Sequence, residues 1–66
     1  MNHTEFYREY RRRKDKAIEL AALQYPALDR HRIIVTFFPT DVLVGVYSKS
    51  DEFVKNIIID GNDLDV

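Results

Sequence analysis

The fold is decided by residues 32–47, which read RIIVTFFPTDVLVGVY. β-Branched and aromatic residues, which favour extended backbone, fill two runs in this stretch, Arg32 to Phe38 and Val42 to Tyr47. Pro39-Thr40-Asp41 lies between the two runs and is typical of a turn. The segment therefore predicts an antiparallel hairpin with a three-residue loop.

Residues 4–24, which precede the hairpin, predict one long helix. Thr4 can cap the first turn, and most of the apolar side chains fall within one stripe at 100° per residue. Pro26 ends the helix, because the residue before a proline is pushed out of helical geometry. Residues 27–31 are expected to form a short polar connection to the hairpin.

Residues 52–60 are compatible with two structures. Three consecutive isoleucines favour a third strand, and three strands are more stable than a lone hairpin. As a helix, the segment would be capped by Ser50 and ended by Gly61. We predict a single small α+β domain over residues 1–66, with one long N-terminal helix packed on a small antiparallel sheet. The predicted order is α-β-β-β, with α-β-β-α as the alternative, and the acidic tail is expected to fray.

Size and composition exclude several classes of protein. The chain has 66 residues, no cysteine and a net charge of -1, and 45% of its residues are hydrophobic. A chain of this length buries roughly 60% of its unfolded surface, which makes it marginal as an independent fold. No apolar run reaches the length of a membrane span, and no signal peptide is visible. We therefore expect a cytoplasmic protein without membrane contact, and not an enzyme.

The two histidines do not indicate a chemical site. His3 lies in a terminus that is expected to fray, and His31 lies among positive charges in the run 29–32. Neither has metal-ligand spacing to another strong ligand, and no nucleophile and orienting group can be placed beside either. The sequence therefore predicts no catalytic residue, no metal site and no cofactor.

Apolar surface that one helix cannot cover predicts a protein partner. A helix of 21 residues is ~31 Å long and a strand of seven spans ~23 Å, so the N-terminal end of the helix is expected to overhang the sheet. Both faces of the hairpin are apolar, and the second face needs another cover. We expect a homodimer, together with a host protein as partner. The predicted partner-binding residues are Phe6, Tyr7, Tyr10, Ile34, Phe38, Leu43, Tyr47, Asp60, Asp63 and Asp65.

Charge is distributed unevenly along the chain. Residues 1–32 carry eight Lys/Arg and five Asp/Glu, whereas residues 33–66 carry two Lys and six Asp/Glu. A basic helix can bind phosphate, so nucleic-acid binding is the alternative function. Acidic residues three or four positions away would also pair with these cations on a solvated helix face. The residues predicted for nucleic-acid binding are Arg8, Arg11, Arg12, Arg13 and Lys16.

From Tyr25 to Asp60 the chain resembles the DinI-like family. The resemblance is carried by a helix that ends in Tyr25-Pro26, a hairpin with Gly45 late in its second strand, Lys49-x-Asp51 and paired isoleucines. It implies a small bacterial or phage protein that binds the recombinase RecA and modulates its filament. That family begins with a strand and ends in an acidic helix. Together, the residues and the resemblance predict a non-enzymatic protein-binding modulator or inhibitor, encoded by a phage or another mobile element.

Overall fold

A computed structural model describes residues 3–65, and of His3 only the backbone. Helix α1 spans His3–Gln24, and three strands follow: β1 (Arg32–Phe37), β2 (Asp41–Tyr47) and β3 (Phe53–Asp60). The strands form one antiparallel sheet in the order β1-β2-β3. The predicted α-β-β-β layout is thereby confirmed, and the alternative that made residues 52–60 a helix is wrong.

Two short 3-10 helices connect and close these elements. The first, Pro26–Arg30, lies where the sequence predicts a short polar connection, and it buries Leu28. Proline suits its first position, because the ring fixes a helical φ and the missing N–H has no partner there in any case. The second, Gly61–Asp65, follows β3 directly and buries Leu64. The expectation that the tail frays is therefore wrong up to Asp65, the last residue described.

The core lies between α1 and the face of the sheet that the helix covers. Ala17 and Ala21, one helical turn apart, are fully buried, and their small side chains let the helix approach the sheet closely. The central strand contributes three buried valines, as its predicted alternation requires. The remaining buried hydrophobic side chains are those of Leu28, Ile57, Ile59 and Leu64.

A register shift in the β2–β3 ladder decides which side chains of β3 face outward. Val46 pairs with Lys55, but Tyr47 pairs with Phe53, so Val54 is an extra residue on β3. This β-bulge brings Phe53 to the same face as Tyr47, and their rings meet edge to face at a centroid distance of 5.9 Å. Without the bulge, Phe53 and Tyr47 would lie on opposite faces.

The turn between β2 and β3 is fixed by local hydrogen bonds. The Oγ of Ser48 accepts bonds from the backbone N–H groups of Ser50 and Glu52, at 3.2 and 3.1 Å. Asp51 has a φ of 66°, a left-handed conformation that aspartate tolerates better than most residues. Its carboxylate also accepts a bond of 2.7 Å from Arg32, which ties the start of β1 to this turn.

Candidate protein-binding site

The sheet face that points away from α1 carries a cluster of apolar side chains, which we call the open face. It consists of Ile34, Leu43, Tyr47, Phe53 and Ile58. The strand register places Leu43 directly opposite Ile58, and Tyr47 directly opposite Phe53. Ile58 is 66% exposed and Ile34 is 59% exposed, so no other part of the described chain covers them. Ile34, Leu43 and Tyr47 lie where the sequence predicts them, on the face opposite the helix.

Polar groups border the open face at both ends. At one end Arg32 forms its ion pair with Asp51. At the other end Asp41 and Asp60 are direct partners in the β2–β3 ladder, so two exposed carboxylates lie side by side. An apolar centre with a charged rim is the usual composition of a protein–protein interface.

The overhanging end of α1 forms a second apolar surface, which we call the aromatic groove. Phe6, Tyr10, Phe37 and Phe38 line it, together with Glu9 and Arg13, and its volume is about 570 Å³. Phe6 is 61% exposed, as the predicted overhang requires. Tyr10 is less exposed, because its ring packs against Phe37 at a centroid distance of 5.3 Å. Phe38 follows the last residue of β1 and belongs to this groove.

Tyr7 lies on a different side of the helix from the aromatic groove. Its ring meets Phe6 edge to face at a centroid distance of 6.5 Å. It lines a shallow depression with Thr4, Arg8 and Arg11. The three aromatic residues predicted at the helix end are therefore not one continuous patch.

Two arginines of the helix hold the acidic tail, which the sequence assigns to a partner. Arg13 donates to Asp65 at 3.0 Å, and Arg12 approaches the same carboxylate at 3.5 Å. Arg12 also donates to the backbone carbonyl of Leu64 at 3.3 Å. These contacts span more than 50 residues of sequence, and they fix Leu64 in the core. We call this set of contacts the tail clamp.

Glu9 completes the tail clamp from the helix side. Its carboxylate accepts two bonds from Arg12, at 2.6 and 3.2 Å. These charge-assisted bonds lower the pKa of Glu9 below its ordinary value of 4.5, and they raise the pKa of Arg12. Both side chains are about half exposed, so the pair orients Arg12 more than it stabilises the fold.

The three acidic residues predicted as one binding tail are separated in the structure. Asp60 borders the open face, and its carboxylate also accepts a bond of 2.9 Å from the N–H of Asn62. Asp65 lies on the opposite side of the sheet, bound to the helix. Asp63 is exposed in the second 3-10 helix. Only Asp60 is therefore placed to act together with the open face.

The predicted basic surface is divided in a similar way. Arg12 and Arg13 belong to the tail clamp, and Lys16 lies 3.8 Å from Glu19. Arg8 and Arg11 are exposed and form no ion pair with residues 3–65. The cations left to contact a phosphate are fewer than the sequence predicts.

His31 joins the end of α1 to the start of the sheet. Its Nδ1 lies 2.9 Å from the carbonyl oxygen of Ala27, a geometry in which the ring N–H donates. Nε2 then faces the hydroxyl of Tyr25 at 3.5 Å, and the Nζ of Lys55 lies over the Tyr25 ring at 5.3 Å. Among residues 3–65, no group of three His, Asp or Glu side chains is placed to hold a metal ion.

Two residues of the open face, Phe53 and Ile58, are absent from the predicted binding set. The signal for Ile58 is present in the sequence, because alternation between Ile57 and Ile59 puts the middle isoleucine on the other face of a strand. The sequence contains no such signal for Phe53, because the face on which Phe53 lies depends on the bulge at Val54. No helix in the described part of the chain is long and apolar enough to cross a membrane.

Comparisons of the chain with protein-family models, curated proteins and solved structures give no match. The resemblance to the DinI-like family therefore stays a prediction. The structure has a strand, β3, in the place where that family is expected to continue into its acidic helix.

Proposed function

We propose that the protein is a small non-enzymatic binding module that uses the open face to bind another protein. The observation that carries the proposal is the exposure of Ile58, Ile34 and Phe53 at 66%, 59% and 59% on one sheet face. Exposed apolar clusters with a polar border mark interaction sites, because full burial of a fully exposed side chain of this kind contributes about 1.5–3 kcal/mol. A protein of this kind modulates or inhibits its partner by occupying a surface of it.

Charge at the two ends of the open face supports an oriented complex. Asp41 and Asp60 make one end acidic, and the Arg32–Asp51 pair at the other end is internally neutralised. A partner with a basic group beside an apolar patch would be held in one orientation, since rim charges set register and association rate more than affinity.

Lysine substitutions at two exposed sites test the proposal. Ile58→Lys places a charge on the most exposed side chain of the open face, beside Leu43 of the central strand, without touching the core. Leu23→Lys is the matched control, because Leu23 is 76% exposed on the helix and the change in charge is the same. Both variants are used with the wild type as bait in extracts of cells that carry the protein, after circular dichroism shows that they are folded.

The expected result is a partner that wild type and Leu23→Lys retain equally and that Ile58→Lys loses at least tenfold. The resemblance to the DinI-like family predicts a RecA filament as that partner, and purified RecA enters the same comparison. Retention of the same proteins by all three baits would contradict a role for the open face.

Nucleic-acid binding is the second candidate. The observation that favours it is the pair of exposed arginines, Arg8 and Arg11, beside the exposed ring of Tyr7. Phosphate contacts are strongest at low salt, so fluorescence anisotropy with mixed RNA and DNA at ~50 mM salt is the decisive condition. An increase in anisotropy with the wild-type protein that is smaller with Arg8→Ala would support this function. No change in anisotropy with the wild-type protein would exclude it.

A further inference from the structure

Strand β1 is the least covered element of the sheet. Helix α1 contacts β2 and β3 more than β1. Ile33, Val35 and Phe37 point to the helix side, as the buried valines of β2 do, yet none of the six residues of β1 is fully buried. β1 therefore exposes apolar side chains on both faces, as well as one edge.

The backbone of β1 offers hydrogen bonds at that edge. Phe38 donates its N–H to the carbonyl of Asp41 at 2.9 Å. This bond shows which backbone groups of β1 point toward β2 and which point away from it. In an antiparallel pair, N–H groups point alternately toward and away from the partner strand. The N–H and C=O groups of Ile33, Val35 and Phe37 therefore point away from β2.

The two edges of the sheet differ in protection against pairing. On β3, the bulge at Val54 distorts the edge. Lys55 is the ladder partner of Val46, so its charged side chain starts from the helix side of the sheet. Bulges and inward charges are devices that prevent edge strands from adding a further strand. β1 has no proline, no bulge in its ladder with β2 and no charge on its helix side. Only the β1 edge is suited to receive another strand.

The chain exposes more surface than an average folded monomer of its mass. A folded monomer of 7.8 kDa exposes about 4,400 Å², whereas this chain exposes 5094 Å². The elongated shape, 38 × 22 × 18 Å, accounts for part of the excess of about 700 Å². A standard interface removes about 800 Å² from each partner, which is the same order.

Charge selects the relative direction of two copies. Arg30 precedes β1 and Arg32, which is paired with Asp51, is the first residue of the strand. Parallel pairing would set these residues beside their own copies. Antiparallel pairing centred on Val35 separates the two Arg32 positions by six residues, or about 20 Å. It also brings Ile33 opposite Phe37 of the second copy.

We infer that two copies of the chain associate through the β1 edges, antiparallel and centred on Val35, in a continuous six-stranded sheet. The outward backbone groups of Ile33, Val35 and Phe37 pair with those of the second copy. The two helices lie on the same side of the extended sheet. This arrangement leaves the open face uncovered, so it is independent of the proposed binding of another protein and compatible with it.

The molecular mass of two variants tests the inference. In Val35→Lys, a charge enters the helix side of β1, as Lys55 does on β3, and the long stem can reach solvent. Ile34→Lys is the control, since it adds the same charge to the adjacent residue on the opposite face. By sedimentation equilibrium, wild type and Ile34→Lys are expected at twice the monomer mass, and Val35→Lys at the monomer mass.

Amide hydrogen exchange of the wild type provides a second readout that needs no variant. The amides of Ile34 and Thr36 are bonded within the hairpin and are protected in any state. The amides of Ile33 and Val35 are protected only if another strand pairs with the edge, and this protection should fall on dilution.

Several results would overturn the inference. A monomeric wild type at high concentration excludes self-association. A dimer that Ile34→Lys dissociates and Val35→Lys does not would place the contact on the open face. Rapid exchange of the Ile33 and Val35 amides in a dimer would exclude edge pairing, even if Val35→Lys failed to fold.

Discussion

Truncation of Leu64 tests whether the last turn of the chain is part of the core. Leu64 is fully buried, although it lies between two aspartates near the C-terminus. Leu64→Ala removes three buried carbon groups, at about 0.8 kcal/mol each, or about 2.4 kcal/mol in transfer free energy. A residual cavity adds to this cost, and collapse of the short 3-10 helix into the space limits it. We expect a loss of about 2–3 kcal/mol.

This loss is a large fraction of the stability of so small a domain. At about 0.05–0.15 kcal/mol per residue, 66 residues correspond to about 3–10 kcal/mol in total. For domains of this size, each kcal/mol shifts the melting temperature by about 4–8 °C, so Leu64→Ala should lower it by about 8–24 °C. Thermal melts followed by circular dichroism, together with urea titration, measure both quantities.

Leu23→Ala is the matched control, because it removes the same atoms from a side chain that is 76% exposed. Alanine also favours helix slightly over leucine, so a change within about 0.5 kcal/mol is expected. If Leu64→Ala cost no more than Leu23→Ala, the tail would not be packed. The tail clamp would then have no structural role.

Two further predictions concern a close backbone approach and an acid-sensitive ion pair. A Cβ on Gly61 would lie 2.7 Å from the carbonyl oxygen of Thr40, so Gly61→Ala should lower the free energy of unfolding by about 1–3 kcal/mol. Gly45→Ala is the control and should lower it less, because the added Cβ meets the movable ring of Tyr47. Equal urea midpoints for the two variants would refute the steric argument. The bonds from Arg12 lower the pKa of Glu9 in the folded protein. Ionised Glu9 therefore stabilises the fold at pH values above its pKa in the unfolded chain, and this stabilisation is lost as pH falls through the lowered pKa. The difference in melting temperature between wild type and Glu9→Gln should therefore exist at neutral pH and vanish well below pH 4.5; a difference that persists in acid would refute this assignment.

Local patterns in the sequence are sufficient to predict the long helix and the hairpin of this fold. The predicted helix, 4–24, and the observed helix, His3–Gln24, end at the same residue because Pro26 terminates the helix. They differ by one residue at the start. The two strands of the hairpin are predicted from their β-branched residues, which alternate between the two faces of the sheet. Residues 52–60 were ambiguous because Phe53, Val54 and the isoleucines fit the period of either element.

Relations between distant segments could not be predicted in the same way. Ile33 and Val35 have the same pattern as Val42 and Val44, yet only the valines of β2 are buried, because β2 is central and lies under the helix. The position of a strand in its sheet is a tertiary property. The burial of Leu64 is not predicted, for a related reason, since its acidic neighbours predict a solvated tail and the arginines that contact this tail lie more than 50 residues away.

The tail clamp changes the meaning of the charge asymmetry in the sequence. A basic first half and an acidic second half suggest complementarity toward partners, but Arg12 and Arg13 already bind Asp65 within the chain. Exposed ion pairs contribute at most about 1 kcal/mol each, so in holding the tail they add to the larger contribution from the burial of Leu64. Phosphate or acidic protein at this part of the helix would have to displace Asp65 first. The surface property that remains unmatched is apolar area, on the open face and at the β1 edge, and this favours association through apolar contacts over association through charge.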